Sequence, residues 1–327
     1  MPIEKNYFEN LFGTAFSRKS FLKMLGLGLV FFLSSGKYGK KQLLAADKVL
    51  EPRKKKNIKV DCDLAVCKGK NPAALTRKAV DTLGGMKRFV KSGDIVVVKP
   101  NIGWDRSPEQ AATTNPEVVA ELVKMSLECG AKTVKVFDNT CNDARRCYDN
   151  SGIQRAAKAA GAEVIFLSEW KYYPAIMPAG YMMADWPIFE DAVKCDCFIN
   201  VPIAKQHRLA RLTLSMKNLM GICGGTRGKI HSDIDTKLAE LALFIKPDLT
   251  VIDANRILID HGPSGGDLAD VKEKNTVVAG IDPVLCDAYA ATLFDLKPES
   301  IGHIKKAAEM GVGSLNIAKA NIKMVTV

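Results

Sequence analysis

The chain has 327 residues, 47% hydrophobic and 25% charged, which excludes a disordered, collagen-like or small disulfide-scaffold protein. Its net charge of +11 points toward nucleic acid only until it is divided along the chain. Residues 1–58 hold 12 Lys/Arg against 4 Asp/Glu, whereas residues 59–327 hold 35 against 32, so the basicity belongs to the leader and no nucleic acid is expected as a partner.

The leader has three zones. A polar, basic start runs to Lys23, Met24 to Leu33 is an uncharged apolar run, and a Ser/Gly/Lys stretch leads to Arg53-Lys54-Lys55-Lys56. As a helix the apolar run covers about 15 Å, half the hydrocarbon core of a bilayer, which fits the apolar region of a signal peptide better than a membrane span. Ser17-Arg18-Lys19-Ser20-Phe21-Leu22-Lys23 resembles the twin-arginine export signal, with Lys19 where the second Arg belongs. The resemblance implies export in the folded state, with the twin-arginine machinery as a partner and the periplasm or cell envelope as the destination. Leu43-Leu44-Ala45-Ala46 is a poor cleavage site, so an uncleaved leader would tether the protein to the membrane. A basic amphipathic arm on a cytoplasmic protein is the competing reading. The organisation expected is a signal segment at 1–46, a basic linker at 47–58 and an α/β domain at 59–327.

In the body, β-rich runs alternate with helical patterns. Asp94 to Val98 reads as a buried strand, and Glu117 to Cys129 as a helix with Asn115 as cap and Pro116 in the first turn. Thr133 to Phe137 is a strand, Gln154 to Ala160 a short helix and Glu163 to Leu167 a strand. Tyr172 to Trp186, aromatic and Met-rich, is an excursion or small inserted lobe. Strands return at Cys197–Val201, Leu249–Ile252, Thr276–Ala279 and Ile322–Val325, with helices over 209–219, 236–245, 283–294 and 300–310. This rhythm predicts an α/β fold, a mostly parallel sheet covered by helices. The nine cysteines are odd in number and include no Cys-x-x-Cys, which gives no basis for an intrinsic iron–sulfur cluster; most read as core, and Cys141 and Cys147, which bracket a loop, are a candidate disulfide.

Ligands bind outside the carboxyl ends of strands in open α/β sheets, and three strand exits carry chemistry. They are Lys99-Pro100-Asn101, Asn200 to His207, and Asp253-Ala254-Asn255 followed by Asp260 to Asp267. The second opens a tract from Cys197 to Ser232 with no acid but with Lys205, Arg208, Arg211, Lys217, Arg227, Lys229, His207 and His231. Such a tract creates a positive field suited to an anionic ligand. At 100° per residue, Arg208, Arg211, Ser215 and Asn218 would share one helical face and Leu209, Leu212, Met216 and Leu219 another; the polar stripe is either a binding face or a solvated one. Gly224 to Lys229 lacks Walker spacing, which leaves only a turn that could offer backbone amides to an anion. Imidazoles brought together from separate loops would serve proton transfer or hold a metal ion, with His207 and His231 the candidate pair.

Asn200-x-Pro202, Lys205-x-His207, Ser215-Met216-Lys217-Asn218-x-x-Gly221 and His231 together resemble the domain of unknown function 362 family. Asp253, Gly262-Pro263-Ser264-Gly265, Asp282-Pro283, Asp287, Lys99-Pro100-Asn101 and Thr114-x-Pro116 continue the match, which covers roughly residues 60–325. Some members carry an appended ferredoxin-like module, which implies redox work; this chain ends at Val327 without that cysteine run, so a separate electron-transfer protein would be the partner. The expectation is an exported α/β enzyme, redox-linked in one reading, acting on an anionic small molecule or cofactor. His207, His231 and Lys217 would be its catalytic groups. Lys99, Asn101, Lys205, Arg211, Asn218, Asp253, Gly262 and Gly265 would bind the ligand. The competing expectation is a non-catalytic carrier or maturation factor for an exported redox protein.

Overall fold

The computed structural model describes residues 48–327, and the signal-segment expectation for residues 1–46 falls outside them. β1 (Leu64–Lys68) leads to α1 (Pro72–Thr82), where Asn71 accepts from the amide of Ala74 and Pro72 occupies the first turn. β2 (Ile95–Pro100), α2 (Pro116–Glu128), β3 (Thr133–Val136), α3 (Ala144–Asn150), α4 (Ile153–Ala159) and β4 (Glu163–Val164) follow. The antiparallel ribbon of β5 (Tyr172–Pro174) and β6 (Pro187–Phe189) closes the aromatic excursion, and α5 (Glu190–Lys194) returns the chain to the sheet. The remainder is β7 (Cys197–Val201), β8 (Ile203–His207), β9 (Arg211–Thr213), α6 (Ser215–Asn218), α7 (Ile234–Ile245), β10 (Leu249–Leu258), β11 (Val271–Gly280), α8 (Pro283–Thr292), α9 (Gly302–Glu309) and β12 (Ile322–Thr326).

Ten strands form one sheet in the order β12-β1-β11-β10-β7-β2-β3-β4, with β8 beside β10 and β9 beside β8. β11 is antiparallel to both neighbours and β9 to β8; the other pairs are parallel. Side chains alternate across the sheet, so Val96 and Val98 join one core with Val118 and Leu122 of α2, while Val97 joins the other with Leu238 and Leu241 of α7. Covering both faces explains why the strands read as continuous apolar runs. The expected α/β architecture is the one observed.

Three expectations about the chain path are corrected. The residues read as a linker pack onto the body: Leu50 is buried, and Arg53, only 5% exposed, pairs with Asp248 at 2.8 Å. The helix expected over 209–219 is instead a hairpin and a single helical turn. β9 pairs with β8 (Lys205 with Thr213, Gln206 with Leu212, His207 with Arg211), Arg211 adopts a left-handed φ of 60°, and Leu209 is 65% exposed. Local helical periodicity is overridden here because β8 offers a free edge to pair with. Asp253 is no strand exit either. β10 continues to Leu258 because β8 and β11 run alongside it and satisfy its backbone, which leaves Asp253 buried in mid-strand. All nine cysteines are free, including Cys141 and Cys147. Among the described residues no helix is long and apolar enough to cross a membrane.

Candidate functional site

β2 and β7 are neighbours whose onward connections leave in opposite directions, since the chain passes from β2 to β3 on one side and returns to β7 on the other. A crevice at such a switch point is where open α/β sheets bind ligands. A cavity of about 420 Å³ lies here. The exit of β2 contributes Asn101, that of β3 Asp138, Asn139 and Cys141, β8 Lys205 and His207, and the segment after β9 Lys217, Asn218, Gly221, Arg227 and His231.

A buried polar network holds these groups in place. Lys99, fully buried, pairs with Asp138 at 2.7 Å and donates to the Pro100 carbonyl (2.8 Å) and Asn218 Oδ1 (3.1 Å). Asn218 also accepts from Asn101 Nδ2 at 3.1 Å and donates to Asn200 Oδ1 at 2.9 Å. Lys205 Nζ donates to the carbonyls of Ala112 (2.6 Å) and Pro263 (3.0 Å) and to Asn101 Oδ1 (3.3 Å). Asp287 accepts from the amides of Ser215 and Met216 and so anchors the turn that carries Lys217 and Asn218. Arg227 donates to the carbonyls of Asn139 and Thr140, both at 2.7 Å, which ties the β3 exit to the basic tract.

Burial dominates the titration of the cations. It pushes Lys205 down to about 7 and Lys217 down to about 8, and it lowers Lys99 against the pull of Asp138. His207 is pushed down to about 2 by burial and then by the charge of Lys217, so the ring is neutral. Its Nδ1 accepts from the amides of Leu209 and Ala210, both at 3.1 Å, which assigns the proton to Nε2. His231 stacks on it at 5.8 Å between centroids and 14° between planes. Its Nδ1 lies 3.2 Å from the Gly228 carbonyl, which can only accept, so Nε2 of His231 keeps its lone pair. The pair therefore joins one N–H donor to one acceptor. That pattern suits hydrogen bonding and proton transfer better than a metal centre ligated by both rings, because a protonated Nε2 on His207 has no lone pair to give.

Of the expected site residues, His207, His231, Lys217, Asn101, Lys205 and Asn218 line one cavity. Lys99 lies behind it, bonded to Asn218. Four residues lie elsewhere. Arg211 is exposed and bonds the Ser300 carbonyl, since the hairpin turns it away from Lys217. Asp253 is consumed by the amides of Asn115 and Asn255. Gly262 is required because a Cβ there would overlap the Gln206 carbonyl, and Gly265 has a left-handed φ of 51°. These two glycines shape the loop that offers the Pro263 carbonyl to Lys205. The Gly224-Gly225 turn has a packing reason as well: a Cβ on Gly224 would press on the Tyr172 ring, and its amide is already bonded to the Pro187 carbonyl. Asp138 and Cys141 were absent from the expected set, and Arg208 and Arg227 entered it only as members of the basic tract. The signal for Asp138 and Cys141 is their place just after β3, a parallel strand whose exit lies beside that of β2.

Comparison with known proteins adds three likenesses. The chain is 27% identical over 247 residues to a thylakoid-associated protein of Synechocystis sp., covering 73% of this chain and 75% of that protein. It resembles the lactate racemase apoprotein from Thermoanaerobacterium thermosaccharolyticum at a TM-score of 0.42 and 12% identity, covering 75% of this chain but only 58% of that one. A crystal structure of a Thermotoga maritima protein matches at a TM-score of 0.36 and 13% identity, over 70% of this chain and 60% of that one. The model of the domain of unknown function family DUF362 matches residues 96–292, from within β2 to the end of α8, and the chain belongs to that family.

Proposed function

We propose that the protein binds an anionic small molecule in this cavity and acts on it as an enzyme. The observation that carries the reading is an imbalance of charge. Lys205, Lys217, Arg208 and Arg227 line the cavity, and its one lining carboxylate, Asp138, is already held by Lys99. A concave site with such a surplus concentrates anions, and the His207–His231 pair places a proton donor and an acceptor within it.

Calorimetric titration of the full chain with inorganic phosphate, oxalate and citrate tests the reading. At least one should bind, and Lys217→Met should weaken it by roughly 10- to 100-fold, the worth of one hydrogen bond to a charged group. Affinity should be highest where Lys205 and Lys217 are both protonated. It should fall as pH rises through about 7 to 8, by roughly ten-fold per unit for each coupled proton. Binding that is indifferent both to this substitution and to pH would remove the reading. Retention of a tightly bound molecule without turnover would leave the site and remove the enzymatic part.

We further propose that Ser17 to Lys23 directs export by the twin-arginine route. The motif supports this, and so does the relative named for its association with thylakoids. Fractionation of cells expressing the full chain should find it in the envelope or periplasm, and the double variant Arg18→Gln/Lys19→Gln should accumulate in the cytoplasm. An unchanged distribution would overturn the proposal.

A further inference from the structure

We propose that Lys217 forms an imine with a carbonyl carbon of the bound anion, which makes the ligand class an oxo acid or an anionic aldehyde. This deepens the anion-site reading and rests on it.

The cations around the cavity are satisfied unequally. Lys99 has a carboxylate, a carbonyl and an amide oxygen; Lys205 has two carbonyls and an amide oxygen; Arg227 has two carbonyls. Lys217 differs. It is 9% exposed and faces the cavity, yet its Nζ meets the thioether of Met220 at 3.2 Å and no oxygen among the described residues. A thioether is a weak acceptor that stabilises an ammonium poorly, so the site withholds from Lys217 the partners it gives to every other buried cation. A desolvated amine beside other cations is how proteins turn lysine into a nucleophile at neutral pH. The fall of Lys217 from 10.5 to about 8 agrees, since it raises the share of free amine near neutrality by about two orders of magnitude.

The surroundings suit the step. The amine lone pair attacks the carbonyl carbon, a C–N bond forms, and the π pair moves to oxygen, where the Nε2–H of His207 is available as donor. His231 Nε2 takes the proton that frees the amine and returns it to the carbinolamine hydroxyl, which leaves as water while the C=N bond forms. Overall, one ammonium and one carbonyl give one iminium and one water, so charge and protons balance without an external oxidant or reductant. Lys205, Arg208 and Arg227 hold the anionic group of the same molecule.

The test uses the full chain, glyoxylate as the anionic aldehyde and cyanoborohydride to trap the imine, with modified lysines mapped by mass spectrometry. Oxalate serves as the matching anion without an aldehyde. Lys217 should be modified on the order of ten-fold faster than exposed lysines, and oxalate should slow its modification. Lys217→Arg, which has no primary amine to condense with the aldehyde, should lose this adduct. Labelling in which Lys217 is no faster than surface lysines, or in which Lys205 carries the adduct, overturns the imine. If oxalate still binds in that event, the anion-site reading survives; if it does not, both fall. The map on the unaltered chain decides the matter even if the variant fails to fold.

Discussion

Asp138→Asn should cost about 3–5 kcal/mol of stability in urea unfolding, the usual penalty for leaving one member of a buried ion pair without its counter-charge. The side chains of Lys99 and Asp138 are 0% and 2% exposed, so water cannot replace the lost carboxylate. Lys99 would keep only neutral acceptors, the Pro100 carbonyl and Asn218. The same carboxylate accepts from the amide of Ile102 at 2.6 Å, and the Asp138 backbone exchanges hydrogen bonds with the buried Tyr148 hydroxyl. The damage should therefore reach the loop after β2 as well as the exit of β3. Removing the stranded charge in the double variant Lys99→Met/Asp138→Asn should recover a large part of the loss. A single variant within about 1 kcal/mol of the parent would show that the pair does not hold the site together.

Gly221→Ala should be comparably severe, at about 3 kcal/mol or more, and should abolish anion binding. A Cβ at this position would overlap Asp138 Oδ1 and come within 2.6 Å of Lys99 Nζ. Both atoms belong to a buried, bonded pair that cannot swing aside as the end of an exposed side chain would. The Gly221 carbonyl also accepts from the Asn139 amide at 2.9 Å, so displacing the turn would drag the β3 exit with it. Urea unfolding read together with oxalate titration checks both parts. A stable Gly221→Ala protein with unchanged oxalate affinity would mean that the turn is far more compliant than its packing implies.

The contrast between Gly221 and Gly265 illustrates what a sequence leaves open. Both fall in stretches that match the family, but one is required by a neighbour 83 positions away in the chain and the other by its own backbone angle. The helical stripe expected over 209–219 failed for a related reason. The apolar spacing of Leu212, Met216 and Leu219 fits a helix, but the free edge of β8 took Leu212 into a hairpin strand and left Met216 and Leu219 to the turns that follow it. That hairpin removes Arg211 from the site and relies on His207 Nδ1 to bind its turn, a structural duty that no spacing rule reveals.

What the chain order determined alone was the alternation of buried strands and capped helices, and hence a helix-covered, mostly parallel sheet. It also determined an acid-free basic tract beginning at one strand exit. These are local properties, set by side-chain period, capping residues and the signs of neighbouring charges, and they need no knowledge of distant contacts. The tertiary structure alone decided which cations keep company with oxygen and which do not. Lys99, Lys205 and Lys217 are indistinguishable as letters. Their partners come from β2, β3 and the loops that β8 and β10 bring together, and only after that assembly is Lys217 left facing the cavity with a thioether for a neighbour.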